Sequence, residues 1–227
     1  MRCTQTFTLA LLLATSARAE GLPALLDRVA KAYGGESRLL ALHAVRETGT
    51  ITSGRGDGTL VRAFEPPSRL SIEINRPTAT SPEVRILDGS RGARDGQVVL
   101  GPMLDAMVLQ AVRLDLPAAL LRHRAQLRDL GEIVREGKKL RSIGLPLEGS
   151  KAIAVGVEAS TGHIVYSEGV VGTIHFATVY SGFRRVDGLL FAFEEENFAS
   201  GVKTADTHLV RIEVNPALSP GTFVLGY

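Results

Sequence analysis

Apolar positions along the chain follow two periods. Over residues 22–33 they recur at Leu22, Leu25, Leu26, Val29, Ala30 and Tyr33, with Asp27, Arg28 and Lys31 opposite. That spacing predicts an amphipathic helix. Gly34-Gly35 ends it, since glycine accepts the left-handed conformation that closes a helix, and a short helical turn is expected over 36–42. From Val45 the period drops to two. β-Forming residues at 45–52 and 59–64 flank Asp57-Gly58, a tight hairpin turn. Leu70, Ile72 and Ile74 alternate with Ser71, Glu73 and Asn75, a strand with one wet face. Further strands are expected at 84–87 and 98–100, with Asp88-Gly89 and Asp95-Gly96 as turns between them.

Helical spacing returns only over 102–127, where Met103, Leu104, Met107, Val108, Ala111 and Val112 form a stripe that Leu109 and Leu114 widen. Pro102 suits a first helical position. Asp115 can cap a second helix that enters at Pro117 and runs through Ala118, Leu120, Leu121 and Leu127. Helices this apolar need sheet from both flanks to cover them. Beyond them, alternation at 153–157 and 163–167 predicts strands, and 131–141 holds one around Ile133-Val134. Three long strands are expected at 173–184, 189–198 and 203–214, joined at Asp187-Gly188 and Ala199-Ser200-Gly201, with Val210, Ile212 and Val214 inward. At roughly 10–12 residues each, such strands suit a barrel or half-barrel. The fold class expected is mainly β with helices (α+β), a half-open antiparallel β-barrel closed over an apolar helical plug.

The first 19 residues read as a cleaved signal peptide: Arg2, an apolar core over 7–14, and Ala17-Arg18-Ala19 as the cleavage pattern. Cleavage after Ala19 leaves a single domain over 20–227, exported to the periplasm. It also removes the one cysteine, Cys3, so neither disulfides nor cysteine metal ligands are expected. Loss of Arg2 and Arg18 takes Lys+Arg from 26 to 24, against 24 Asp+Glu. A balanced charge argues against nucleic acid as a partner.

Catalytic patterns are weak. His43, His123, His163, His175 and His208 lack metal-ligand spacing, although His163 and His175 fall in strands that could bring them together. No GxSxG elbow occurs. Gly54-Arg55-Gly56-Asp57-Gly58 lacks the Lys-Ser/Thr end of a phosphate loop. In Glu194-Glu195-Glu196, alternation places Glu195 on one face and Glu194 and Glu196 on the other.

Tyr33-Gly34-Gly35, Thr48-x-Thr50-Ile51, the run Arg185-Val186-Asp187-Gly188-Leu189-Leu190-Phe191, then Asn197-Phe198, Ile212-Glu213-Val214-Asn215-Pro216 and Phe223 resemble the LolA/LolB-like superfamily, in its branch of periplasmic outer-membrane lipoprotein-sorting proteins. The resemblance spans roughly 22–223. It implies a LolA-like half-open barrel and a periplasmic, non-catalytic carrier or sensor. Such a protein would hold acyl chains of lipids or lipoproteins in an apolar concavity, with an inner-membrane transporter or outer-membrane acceptor as partner and no cofactor. The sequence departs from relatives in having no Trp and in placing Ala192 where proline is common. Met103, Leu104, Met107, Val108, Ala111 and Leu120 are the expected groove residues, because paired methionines make an adaptable apolar wall. No catalytic or metal-binding residues are assigned. An envelope scaffold with a fully packed interior is the alternative, and a secreted hydrolase using Glu194 or Glu196 a third reading.

Overall fold

The computed structural model describes residues 21–135, 137–148 and 151–226. The signal peptide expected over 1–19, with Cys3, lies outside the described residues. Six strands open the sheet: β1 (Val45–Ser53), β2 (Gly58–Glu65), β3 (Arg69–Asn75), β4 (Glu83–Asp88), β5 (Arg91–Arg94) and β6 (Gln97–Val99). After the helices come β7 (Arg128–Arg135), β8 (Lys138–Pro146), β9 (Ala152–Val157), β10 (Ile164–Val171) and β11 (Ile174–Ser181). A short hairpin follows, β12 (Arg184–Val186) and β13 (Leu189–Phe191), and then β14 (Glu194–Ala199) and β15 (Val202–Val214). Thirteen of these make one sheet, in the order β6-β5-β4-β3-β2-β1-β15-β14-β11-β10-β9-β8-β7. Every pairing is antiparallel. Two meanders are joined side by side where the first strand of one meets the last strand of the other. The sheet curls without closing, because β6 and β7 lie at opposite ends of the order.

Among the described residues, four α-helices pack against the sheet: α1 (Leu22–Ala32), α2 (Glu36–Leu40), α3 (Gly101–Leu114) and α4 (Leu116–Arg122). Leu25, Leu26 and Val29 of α1 and Leu116 and Leu120 of α4 are buried with Ile143, Leu145, Ile153 and Val155 of the second meander. Met107 and Ala111 of α3 are buried with Leu60, Phe64, Leu70 and Leu87 of the first. Leu109, on another side of α3, belongs to the former group. One helix therefore touches both halves of the core. Each fully buried leucine or isoleucine contributes about 1.5–3 kcal/mol of transfer free energy. Asp115 ends α3 and precedes α4 as expected, but its side chain caps nothing. It is buried and ion-paired to Arg122.

Four expectations need correction. The second helix stops at Arg122, and Leu127 lies beyond it in extended backbone leading into β7. Residues 131–141 hold most of a hairpin, β7 with β8, where one strand was expected. Alternation is hidden there because β7 is largely exposed on both faces and Leu140, Ile143 and Leu145 of β8 carry the burial. The spans 173–184 and 189–198 are not continuous strands. β11 stops at Ser181, the hairpin β12–β13 leaves the main sheet, and pairing resumes at Ser181↔Glu194. Val210 faces outward at 63% exposure. The β1–β15 register slips between Thr48 and Gly49, opposite Arg211 and Leu209, so Val210 is the extra residue of a bulge. The inward phase runs Thr207, Leu209, then Ile212. Gly49 is required at that slip: a Cβ would sit 2.2 Å from the His208 carbonyl oxygen.

The detached hairpin explains two pieces of the family-like pattern at once. Asp187 and Gly188, both at positive φ, turn it tightly. Its tip docks under the end of α1, where Leu190 N donates to Tyr33 O at 3.3 Å and Arg185 Nη2 donates to Ala32 O at 3.0 Å. Gly34 has φ of +111°, and a Cβ there would lie 2.4 Å from Gly188 O. Tyr33 is buried and accepts a hydrogen bond on its hydroxyl from Ile164 N at 3.0 Å. At the far end, Asn215 Oδ1 accepts from the backbone N–H groups of His43 and Ala44, pinning the start of β1. Replacing Gly34 with Ala combines a strained backbone with a collision against main chain. The expected loss is about 3 kcal/mol or more, read as a lower urea midpoint with an unchanged m value.

Candidate functional site

Residues directly opposite in a sheet share a face, so the register lays out the inner wall row by row. Val45, Phe64, Leu70 and Leu87 form one row across β1 to β4, and it is buried and apolar. The next row is Glu47, Arg62, Ile72, Arg85 and Arg94. The third continues with Leu60, Ile74 and Glu83. The inner wall thus turns from apolar to charged in one step of the pleat. Between it and α3 lies a cavity of about 520 Å³. Ile72, Ile74, Met103, Met107, Leu109 and Phe176 supply apolar lining, and Arg62, Arg113 and Glu195 supply charge. Met103, 41% exposed, and Arg55, on the β1–β2 turn, mark its mouth. A second pocket of about 80 Å³ lies beneath α2 and the β12–β13 hairpin, and Arg113 and Glu195 line both.

Arg62 is the centre of the buried charges. Its Nη1 and Nη2 donate to the two oxygens of Glu195 at 3.1 and 2.7 Å, a fork that fixes both groups. Its Nε donates to Glu47 Oε2. Burial raises the Glu47 carboxyl above the ordinary carboxylate range; Arg62 opposes that shift and Glu195 reinforces it. Burial works against the charge of Arg62 as well, but Glu195 and Glu47 outweigh it and hold the guanidinium protonated. Arg113 reaches the same space from α3. Burial lowers its pKa, and its Nε and Nη2 are buried with no hydrogen-bond partner among the described residues. Tyr180, its pKa raised by burial, shares a 2.8 Å hydrogen bond with Ser167.

A second charged group stands nearer the mouth, where four arginines converge on Glu83. Arg55 Nη1 lies 3.3 Å and Arg76 Nη1 3.1 Å from Oε2, while Arg94 Nη2 is 3.2 Å from Oε1, and Arg85 pairs through the same oxygen. Despite partial burial, these partners pull the Glu83 carboxyl down to about 2, with Arg85 contributing most.

Of the expected groove residues, Met103 and Met107 line the cavity. Leu104 and Val108 pack against the core of the first meander, and Ala111 is buried within it. Leu120 is fully buried in the other half of the core. Sequence reasoning missed Ala106, Gln110 and Arg113, which continue the Met103–Met107 stripe of α3 at helical spacing. It also missed Arg62, Arg76 and Arg85. The available clue was phase: Glu47 shares its face with Val45, and Arg62 with Leu60 and Phe64, so alternation alone turns both charges inward. Glu195 takes the face opposite Glu194 and Glu196, as the alternation implies, and it is the inward one; the other two are about half exposed and pair with His208 and Lys203. His163 and His175 are not brought together, since His175 pairs with Val170 at the far end of β10 from His163. Among the described residues no three His, Cys, Asp or Glu side chains are grouped to hold a metal ion, and no helix is long and apolar enough to cross a membrane.

No family model matches the chain, and no curated protein matches it. Solved structures do. A LolA superfamily protein from Nitrosomonas europaea superposes with a TM-score of 0.57 at 9% identity, over 91% of this chain and 98% of that one. A DUF1329 family protein from Desulfovibrio piger gives 0.55 at 10% identity over 91% and 98%. A domain described as an outer membrane lipoprotein-sorting protein, from Vibrio parahaemolyticus, gives 0.50 at 8% identity over 89% and 95%. The fold is LolA-like, a mainly antiparallel, half-open barrel with few helices, as the sequence reading anticipated.

Replacing Arg62 with Met strands two buried carboxylates and is expected to cost about 3–5 kcal/mol near neutral pH. The cost should shrink at lower pH, because burial raises the Glu47 carboxyl and, without Arg62 to oppose that shift, it takes up a proton in the folded variant; urea titrations at pH 7.5 and 5 check this. Glu83 contributes stability that is fully present above its ordinary value of 4.5 and lost as pH falls from there toward 2. A Glu83→Gln protein should therefore lose less stability than the wild type over that interval, as read by thermal melts across it.

Proposed function

We propose that the protein is a periplasmic carrier or sensor that takes an acyl chain of a lipid or lipoprotein into the cavity between α3 and the inner wall, binding it without catalysing a reaction. The cavity itself carries this reading. Its volume of about 520 Å³ falls within the roughly 300–1,000 Å³ typical of ligand sites. Its apolar walls can take up methylenes at about 0.8 kcal/mol each, so eight to ten of them contribute on the order of 7 kcal/mol. Met103 and Met107, one turn apart, give the wall a side-chain type that adapts to chains of different length.

The LolA-like fold and the signal peptide expected over 1–19 support a place in the envelope. There the donor or acceptor would be an inner-membrane transporter or an outer-membrane protein. A scaffold working through surface contacts alone has no use for an apolar lining between α3 and the inner wall. The hydrolase reading is disfavoured by the placement of Glu194 and Glu196 on the face away from it.

Ala106 lines the cavity without being part of either buried core group. Ala106→Trp should therefore fill the space while leaving the fold intact. The expected result is at least a tenfold loss of affinity for a fluorescent fatty-acid probe, with the melting temperature changed by only a few degrees. Native mass spectrometry of gently purified wild-type protein should show a retained acyl species. A wild type that is never loaded and ignores the probe would remove the reading.

A further inference from the structure

We infer that the arginines around Glu83 form the head-group site for an anionic amphiphile, one bearing a phosphate or carboxylate, whose tail lies in the cavity. The inference rests on the proposed acyl-chain role and specifies the chemistry of the other end of the ligand.

The argument begins with an excess of donors. A carboxylate offers about four lone-pair positions. Glu83 already accepts from Arg55, Arg76, Arg94 and both Nε and Nη2 of Arg85. The other N–H groups of these four guanidiniums cannot be served by it. Among the described residues, Asp95, 3.7 Å from Arg94 Nε, is the one further carboxylate paired with the group. Four cations against two anions leave a formal excess of +2. Arg76 is the most telling member. Its side chain is only 9% exposed, and its Nε is buried with no hydrogen-bond partner among the described residues. An unserved, desolvated donor of this kind costs stability unless a ligand meets it.

Position supplies the second half of the argument. Arg55, Arg76 and Arg85 all line the cavity. Arg85 lies beside Ile72 in one row and Glu83 beside Ile74 in the next, so the charged patch is continuous with the apolar wall. Arg55 reaches solvent, its side chain 62% exposed. A tail lying along Ile72, Ile74 and Met107 would bring its polar end to these guanidiniums, which bind phosphate and carboxylate by paired N–H bonds.

The test uses the full chain and isothermal titration with decyl phosphate, decanol and inorganic phosphate, below the micelle-forming concentration. Decyl phosphate should bind at least tenfold more tightly than decanol, with the advantage declining as salt rises. An Arg76→Gln/Arg85→Gln protein should bind decyl phosphate no better than decanol while keeping its affinity for decanol. Glu83→Gln removes the competing carboxylate and should raise decyl phosphate affinity severalfold, a gain that loss of folding cannot imitate. Equal binding of decyl phosphate and decanol to the wild type, or an advantage that survives in the double variant, would overturn the head-group site and leave the acyl-chain reading standing. Inorganic phosphate binding as tightly as decyl phosphate would overturn it as well, leaving a free-anion site. Binding of neither decyl compound would remove both readings together.

Discussion

A helix with apolar residues on most of its circumference cannot be covered by one flat layer. α3 is such a helix, and its coverage is the constraint from which the architecture follows. Met107 and Ala111 need one wall and Leu109 another. A sheet satisfies both only by curling, and here it does so by joining two meanders through β1 and β15. The bulge at Val210 belongs to the same requirement, because an extra residue sharpens local twist and bends the strand that carries it. The short helices and the detached hairpin then cover the end that the two walls leave open.

Within that frame the interior is not uniformly apolar. Arg62 and Glu47, on the β1–β2 hairpin, are held together with Glu195, which comes from β14, far along the chain but near in the sheet. Such a group adds little net stability, since desolvation offsets most of the attraction. Its stronger effect is on register. A slip of one residue in β2 or β14 would turn Arg62 or Glu195 to the outer face and leave the partner buried and alone. The ion network thus penalises misaligned pairings more than it rewards the correct one.

Much of the fold was legible because its signals are local. Leu70, Ile72 and Ile74 announce β3 by alternation, Asp187-Gly188 announces a turn, and the α1 stripe shows its own period. What was hidden depends on distant partners. Val210 looks inward by phase, and only the mismatch with Gly49 reveals the bulge. The span 173–184 looks continuous, and only the docking of Gly188 against Gly34 explains why the chain leaves the sheet after Ser181. Met103 and Met107 line the cavity on the stripe that apolar periodicity picks out. Arg113 was passed over because a charge on an apolar helix reads as its solvated side. Arg76 and Arg85 were missed for a similar reason: each seems an ordinary surface residue until the sheet gathers them around Glu83.

The unjoined ends of the sheet have a mechanical meaning. In a closed cylinder, strand number and shear set the bore, and widening it breaks a ladder. Here β6, only three residues long, and β7 carry no such obligation to each other. The sheet can flatten or tighten by small rotations shared among many intact ladders, so the span between its walls is elastic.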